Sequence, residues 1–122
     1  MCGITGFVNF EGIQNPKNII LEMSNAITHR GPDSSDFYIN NKHNIALGHR
    51  RLSIIDLSDD GLQPMHSKND RYVIVFNGEI YNYLELKKIL NEKYFSINWT
   101  GKSDTEVLLE FISHMGLKSA LE

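Results

Sequence analysis

Hydrophobic positions follow a helical spacing in the first part of the chain. After Pro16, the apolar residues Ile20, Met23 and Ile27 recur every three to four positions, which predicts a helix over about Lys17–Thr28. The sequence His-Arg-Gly-Pro-Asp that follows contains glycine and proline, so the helix is expected to end there.

Short apolar runs rich in β-branched and aromatic residues predict strands on either side of this helix. The run Tyr72–Phe76 contains no polar residue, which favours a strand buried on both faces. The segment Ser58–Pro64 contains Asp-Gly and is expected to be a loop. The other predicted strands or extended segments are Ile4–Phe10, Phe37–Ile39, Ile45–His49, Leu52–Leu57 and Phe95–Trp99.

Two capping-box patterns predict further helices. Asn82 with Glu85 precedes one apolar stripe, and Ser103 with Glu106 precedes a second stripe that Gly116 is expected to terminate. Strands and helices do not alternate strictly, so the pattern favours an α+β fold over a doubly wound sheet. The stripes are Leu86, Ile89 and Leu90, then Val107, Leu108, Phe111, Ile112 and Met115.

Composition limits the class of protein. The chain has 122 residues, which suits one domain, and 41% apolar with 22% charged residues, which suits a globular fold. The net charge is −3 and no segment is strongly basic, so we expect no nucleic-acid partner. The longest apolar run, Tyr72–Phe76, is far shorter than a membrane span, and no secretory signal is recognisable. We therefore expect a cytoplasmic protein with no membrane partner.

The single cysteine, Cys2, has two interpretations. If the initiator methionine is removed, Cys2 carries a thiol nucleophile beside a free α-amine that can act as its base. Alternatively, Cys2 is a small apolar residue at the edge of the first strand. One cysteine also excludes a disulfide framework, and we expect no metal site because the histidines lack ligand spacing.

The dipeptide Asn77-Gly78 also has two interpretations. It is a common hairpin turn, although a capped helix rather than a return strand follows it. It could instead supply a side-chain amide and a backbone N–H to a developing oxyanion.

Charged residues elsewhere suit the two ends of an amino acid. Arg50 and Arg51 should point to opposite sides of a strand, so one is expected on the surface while the other can bind a carboxylate. Asp104 can stabilise the start of a helix or bind an ammonium group, and Glu79 can contribute to the same recognition.

These motifs together resemble the N-terminal glutaminase domain of the glutamine-hydrolysing asparagine synthetases, which is a class II glutamine amidotransferase. The resemblance extends from Met1 to about Gly116 and favours this branch over the other class II amidotransferases. The stretches that carry it are Met1-Cys2-Gly3-Ile4, His29-Arg30-Gly31-Pro32-Asp33, Arg51-Leu52-Ser53-Ile54-Ile55-Asp56, Gln63-Pro64-Met65, Phe76-Asn77-Gly78-Glu79-Ile80-Tyr81-Asn82 and Ser103-Asp104-Thr105-Glu106.

The resemblance implies a role for each candidate residue. Cys2 is the nucleophile that attacks the glutamine side chain through a γ-glutamyl thioester, with its own α-amine as base. Asn77 and Gly78 form the oxyanion hole. Arg51 binds the substrate carboxylate and Asp104 the ammonium group. The remaining glutamine-binding positions implied are Leu52, Ser53, Ile54, Ile55 and Glu79.

The resemblance also implies an N-terminal-nucleophile αββα sandwich that this chain leaves incomplete. In the family the domain continues beyond this length, and a synthetase domain uses ATP and Mg to make asparagine from aspartate. This chain has no glycine-rich phosphate loop, so we expect no cofactor here and a single partial domain over residues 1–122. One apolar sheet face should be uncovered, which favours association of two copies. The alternative is a non-catalytic remnant that only binds glutamine or self-associates.

Overall fold

The computed structural model of the chain describes residues 2–8, 12–53, 59–94 and 97–122. These residues fall into two units, which are described separately. The first contains the N-terminal sheet and one helix, together with the segments Leu62–Pro64 and Val75–Asn77. The second contains a two-stranded sheet and the remaining helices. The α+β class with antiparallel sheets is confirmed, whereas the four-layer sandwich and the single partial domain remain predictions.

The first unit is built on a three-stranded antiparallel sheet with the strand order β1-β3-β2. A short 3-10 turn, Thr28–Arg30, joins the helix to the second strand of the chain. The elements are β1 (Gly3–Val8), α1 (Pro16–Ala26), β2 (Ser34–Asn40) and β3 (Ile45–Arg51).

Helix α1 packs on one face of this sheet. Ile20 of the helix and Ala46 of β3 have no exposed surface, and they form the centre of the core. Gly48 lies so close to the helix that a Cβ there would approach Ser24 Oγ to 2.5 Å. The partly buried side chains around this centre are Phe7, Met23, Phe37 and Ile39.

The opposite face of the sheet carries both exposed apolar and buried polar side chains. Side chains alternate along a strand, so Ile4 and Val8 point away from α1, and they are 44% and 70% exposed. His49 and Arg51 of β3 share that face but are buried. The expected apolar exposure is therefore found at β1 but not at the end of β3 that precedes Leu52.

Helix α3 is the central element of the second unit. Every residue from Thr105 to Phe111 is buried, so this helix is enclosed all round rather than along a single stripe. Leu90 of α2 is also completely buried. The elements are β4 (Met65–His66), β5 (Val73–Ile74), α2 (Tyr83–Lys93), α3 (Asp104–Met115) and α4 (Leu117–Leu121).

Most predicted helices and strands are confirmed. The predicted helix after Pro16 corresponds to α1, and the two capped patterns correspond to α2 and α3. Gly116 adopts a positive φ of 89° at the end of α3, as a helix-terminating glycine does. The strands predicted at Phe37–Ile39 and Ile45–His49 are parts of β2 and β3, which are longer. The first strand is confirmed as far as Val8, and most of Leu52–Leu57 lies outside the described residues.

The prediction of a doubly buried strand at Tyr72–Phe76 is wrong. Only Val73 and Ile74 pair in a sheet, and the residues of this segment are half-buried. Their partner, β4, has two residues, so the ladder cannot extend. At Phe76, the main-chain N–H donates to the side chain of Gln63 instead of to a neighbouring strand.

The prediction of a strand at Phe95–Trp99 is also wrong over residues 97–99, which have no regular structure. The Trp99 ring lies against α2, where Lys87 Nζ is 4.4 Å from its centroid and Asn91 Oδ1 accepts from Trp99 Nε1 at 2.8 Å. Trp99 is thus held by polar contacts to α2 and not by pairing with another strand. The first two residues of the segment, Phe95 and Ser96, lie outside the described residues.

The capping boxes differ from their expected geometry. Ser103 accepts from Thr105 N at 3.2 Å, whereas Glu106 accepts from Thr100 N and Gly101 N. The Asn82 side chain makes no cap hydrogen bond. The loop expected at Ser58–Pro64 contains a 3-10 turn at Asp59–Gly61. Within the described part of the chain, no helix is both long and apolar enough to cross a membrane.

Candidate active site

Cys2 lies beside the end of β3. The antiparallel register pairs Gly3 with Arg50, so the residue before β1 comes opposite the residues that follow β3. Leu52 N donates to Cys2 Sγ at 3.4 Å, and the same sulfur lies 3.8 Å from Leu52 O. The cysteine is half-buried and is not part of a disulfide. The Leu52 N–H therefore holds the sulfur beside the end of β3.

Asp33 fixes the segment that contacts this sulfur. Asp33 N donates to Arg51 O at 3.1 Å, and the Asp33 carboxylate accepts from Ser53 N at 2.7 Å. The peptides on both sides of Leu52 are therefore held by one residue. Ile54 and Ile55, the other predicted pocket residues of this segment, lie outside the described residues.

A cavity of about 350 Å³ opens beside Cys2. It brings Cys2 together with Asn77, which is 75 positions later in the chain, as the oxyanion-hole hypothesis requires. A volume of this size accommodates a small polar metabolite. The described residues that line it are Cys2, Gly3, Ile4, Ile27, His29, Arg30 and Asn77.

His29 and Arg30 were not predicted as site residues from their own chemistry. They occupy the 3-10 turn after α1, and that turn lies against β3. The sequence signal is Gly31, because a Cβ there would be 2.4 Å from the backbone carbonyl of Arg50. Only glycine allows the turn to approach the strand so closely, and this approach brings the two polar side chains to the cavity.

The two adjacent arginines separate as alternation predicts, but neither is simply a surface charge. Arg50 Nε donates to Ser24 O at 3.0 Å and its Nη2 donates to Asn25 Oδ1 at 2.6 Å, so it caps the carboxyl end of α1. The expectation that one arginine is a solvated charge is therefore wrong for Arg50. Arg51 is 8% exposed on the other face, and it is not among the described residues that line the cavity.

His49 is a buried titratable residue of the same unit. It is 1% exposed, and burial lowers its pKa below the ordinary value of 6.5. A hydrogen bond to the Phe76 backbone opposes this by raising the pKa, and the positive charge of Arg51 lowers it further. Its Nε2 is buried without a hydrogen-bond partner among the described residues. His49 is therefore neutral near pH 7.

The other predicted recognition residues belong to the second unit. Gly78 and Glu79 are exposed. The Asp104 carboxylate accepts from Ile80 N at 2.8 Å and from Thr105 N at 2.8 Å, so it both starts α3 and holds the backbone just after Glu79. The interpretation of Asp104 as a helix-starting residue is therefore confirmed, and the same carboxylate also anchors the backbone at Ile80.

Comparison with known proteins identifies the class. A family model described as a glutamine amidotransferase domain matches residues 1–122. The chain belongs to this family, which agrees with a half-buried Cys2 that lines the same small cavity as Asn77.

The chain is also similar to individual proteins of this kind. The chain is 44% identical over 117 residues to asparagine synthetase [glutamine-hydrolyzing] 1 of Bacillus subtilis (strain 168), covering 93% of this chain and 18% of that protein. It is 42% identical over 138 residues to putative asparagine synthetase [glutamine-hydrolyzing] 2 of Methanocaldococcus jannaschii, covering 100% of this chain and 26% of that protein. It is also 35% identical over 127 residues to amidase chry2 of Gibberella zeae, covering 96% and 18%. The chain thus spans about a fifth to a quarter of these relatives' length.

Proposed function

We propose that this chain is the glutamine-hydrolysing domain of an asparagine synthetase-like amidotransferase. The observation that carries the proposal is the cavity shared by Cys2 and Asn77, with the Leu52 N–H on the cysteine sulfur. A nucleophile, a donor that holds the sulfur and a candidate oxyanion donor are the groups that acyl transfer requires. Family membership supplies glutamine as the substrate.

The proposed reaction has two steps. After removal of Met1, the α-amine of Cys2 takes the thiol proton, and the sulfur attacks the side-chain amide carbon of glutamine. The oxyanion accepts hydrogen bonds from Asn77 and the Gly78 N–H, and ammonia leaves with the proton returned by the amine. Water then attacks the γ-glutamyl thioester, giving glutamate and the free thiol.

Substrate recognition is proposed from the charged residues. Arg51 binds the α-carboxylate of glutamine, because a guanidinium pairs with a carboxylate through two parallel hydrogen bonds. Asp104 binds the α-ammonium group. Glu79 and residues 52–55 complete recognition, with Leu52 and Ser53 held in place by the contacts to Cys2 and Asp33.

The fate of the ammonia is proposed from the names of the relatives. We propose that a synthetase domain uses it to make asparagine from aspartate with ATP and Mg, in the cytoplasm. Because relatives of similar coverage are named both asparagine synthetase and amidase, family membership alone does not select the acceptor.

The test is the intact mass of the purified chain before and after incubation with the chloroketone analogue of glutamine. The Cys2 thiolate displaces chloride from this reagent and forms a carbon–sulfur bond. We expect a mass lacking Met1, followed by one label per chain that excess glutamine prevents. Cys2→Ala should take up no label, whereas Gln14→Leu, a change at an exposed position, should be labelled as fast as the wild type.

A chain that lacks Met1, folds and remains unlabelled would contradict the proposal and favour the non-catalytic remnant. Retention of Met1 together with rapid, glutamine-sensitive labelling would contradict the proposed base, because no free α-amine would then adjoin the thiol. Release of glutamate and ammonia in equal amounts completes the test of the reaction.

A further inference from the structure

The backbone of Phe76 is held by a buried side chain of the first unit. Gln63 is 7% exposed, and its Oε1 accepts from Phe76 N at 2.5 Å. This side chain takes no part in a step of the proposed reaction.

Phe76 directly precedes Asn77, which lines the same cavity as Cys2. Residues 75–77 have no regular structure, so sheet hydrogen bonds do not fix their position. An oxyanion donor has to be held within a few tenths of an ångström of its working position, and a misplacement of about 1 Å can cost roughly 100-fold in rate. Something other than a strand ladder must therefore position Asn77.

We propose that Gln63 is a positioning residue for the oxyanion donor Asn77, acting through the Phe76 N–H that it holds. This inference rests on the proposed glutaminase function. It explains why a polar side chain is buried here, since its burial costs free energy unless a hydrogen bond compensates for it. The bond is made to the residue directly before Asn77.

The first experiment compares two substitutions of Gln63. Gln63→Leu removes the acceptor for Phe76 N, whereas Gln63→Glu keeps an oxygen at the same position. We expect Gln63→Leu to lower kcat for glutamine hydrolysis by about 10- to 100-fold with KM changed less than about twofold. Gln63→Glu should recover part of the loss. Gln14→Leu is the matched control at an exposed position.

The second experiment asks whether the effect passes through Asn77. The aldehyde analogue of glutamine forms a hemithioacetal when the sulfur adds to its carbonyl carbon, and the carbonyl oxygen takes the electron pair. Gln63→Leu should lower the binding affinity for this analogue by the same factor as it lowers kcat/KM. The affinity for glutamate should stay unchanged. In an Asn77→Ala background, Gln63→Leu should cause almost no additional loss of kcat. Independent, multiplicative losses would overturn the inference.

A third measurement separates this inference from the proposed function. The Phe76 amide should exchange slowly with solvent in the wild type and faster in Gln63→Leu. An unprotected Phe76 amide in the wild type would overturn the inference even if glutamine is hydrolysed. If the amide is protected but the wild-type chain does not hydrolyse glutamine, the proposed function is refuted, and the positioning role is refuted with it. The hydrogen bond that holds Phe76 N would still be confirmed.

Discussion

The carboxylate of Asp33 accepts the main-chain N–H of Ser53 at 2.7 Å, and the two residues are 20 positions apart. Leu52 precedes Ser53 in the chain, and its own N–H donates to Cys2 Sγ. Because Asp33 N also bonds to Arg51 O, one residue fixes the segment before and after the donor. The contact to the sulfur therefore depends on a residue that does not itself touch the sulfur.

Replacing Asp33 with alanine should slow the reaction of Cys2. The hydrogen bond is exposed and contributes about 0.5–1.5 kcal/mol, so we expect labelling by the glutamine chloroketone to slow by about two- to tenfold. Asp33→Asn keeps an oxygen acceptor and should stay within about twofold of the wild type. Second-order labelling rates measure the effect. Equal slowing in both variants would point to the charge of Asp33 rather than its hold on Ser53.

Stability should decrease in mild acid because of His49. Burial lowers its pKa in the folded state below 6.5, so the unfolded chain binds the proton more readily. The contribution is complete above the unfolded value and is lost as the pH falls from there through the lowered folded value. The loss is at most about 1.4 kcal/mol for each pH unit in that window.

Urea unfolding from about pH 7.5 to about pH 5 measures this effect. His49→Gln should flatten the dependence, although it lowers the stability at neutral pH. His43→Gln is the matched control because His43 is exposed in the turn between β2 and β3. An unchanged slope in His49→Gln would assign the acid sensitivity to other groups.

The sequence predicted the elements that have internal periodicity. Helices α1, α2 and α3 were found because each apolar stripe repeats within about a dozen residues. The two errors are the short apolar run Tyr72–Phe76 and the short run Phe95–Trp99, in which apolar and polar residues alternate. Whether a run of this kind becomes a strand depends on a pairing partner elsewhere in the chain, and here β4 is too short.

For the candidate site, the sequence identified the chemical groups but not the residues that hold them. Cys2 and Asn77 carry distinctive chemistry and do line one cavity. Asp33 and Gln63 act by accepting main-chain N–H groups from residues distant in sequence, and no local pattern encodes such contacts. The contact of Arg50 with the end of α1 could not be predicted either, because the two become adjacent only when the sheet forms.

Adding one methyl group at Gly31 should destabilise the first unit severely. A Cβ there would lie 2.4 Å from the carbonyl carbon and oxygen of Arg50 and 2.6 Å from Arg51 N, which are backbone atoms that cannot rotate away. We expect Gly31→Ala to cost about 3 kcal/mol or more and to abolish labelling of Cys2.

Gly12→Ala serves as the comparison, because nothing lies within 4 Å of its Cβ and only the positive φ of 80° opposes the change. That strain should cost about 1–2 kcal/mol. Thermal unfolding ranks the two variants. A Gly31→Ala chain as stable as Gly12→Ala would show that the turn does not press on β3 in solution.

The buried carboxylate of Glu106 should stabilise the second unit far more than a surface acid does. It accepts from Thr100 N at 2.8 Å and from Gly101 N at 3.0 Å, and it lies 3.3 Å from Lys68 Nζ. Glu106→Ala leaves two amides without their acceptor and removes the anion beside Lys68, so we expect a loss of about 2–4 kcal/mol. Lys68 is 38% exposed and can turn to water, so most of the loss comes from the two amides.

Two comparisons make the Glu106 prediction specific. Glu106→Gln keeps one acceptor oxygen and should lose about half as much. Glu92→Gln removes a pair with Lys88 in which both side chains are largely exposed, and it should change stability by less than about 0.5 kcal/mol. Urea unfolding of the three variants measures the order. If Glu106→Ala is no worse than Glu92→Gln, the segment before α3 is not held by this carboxylate, and hydrogen exchange at Thr100 and Gly101 should then be fast in the wild type as well.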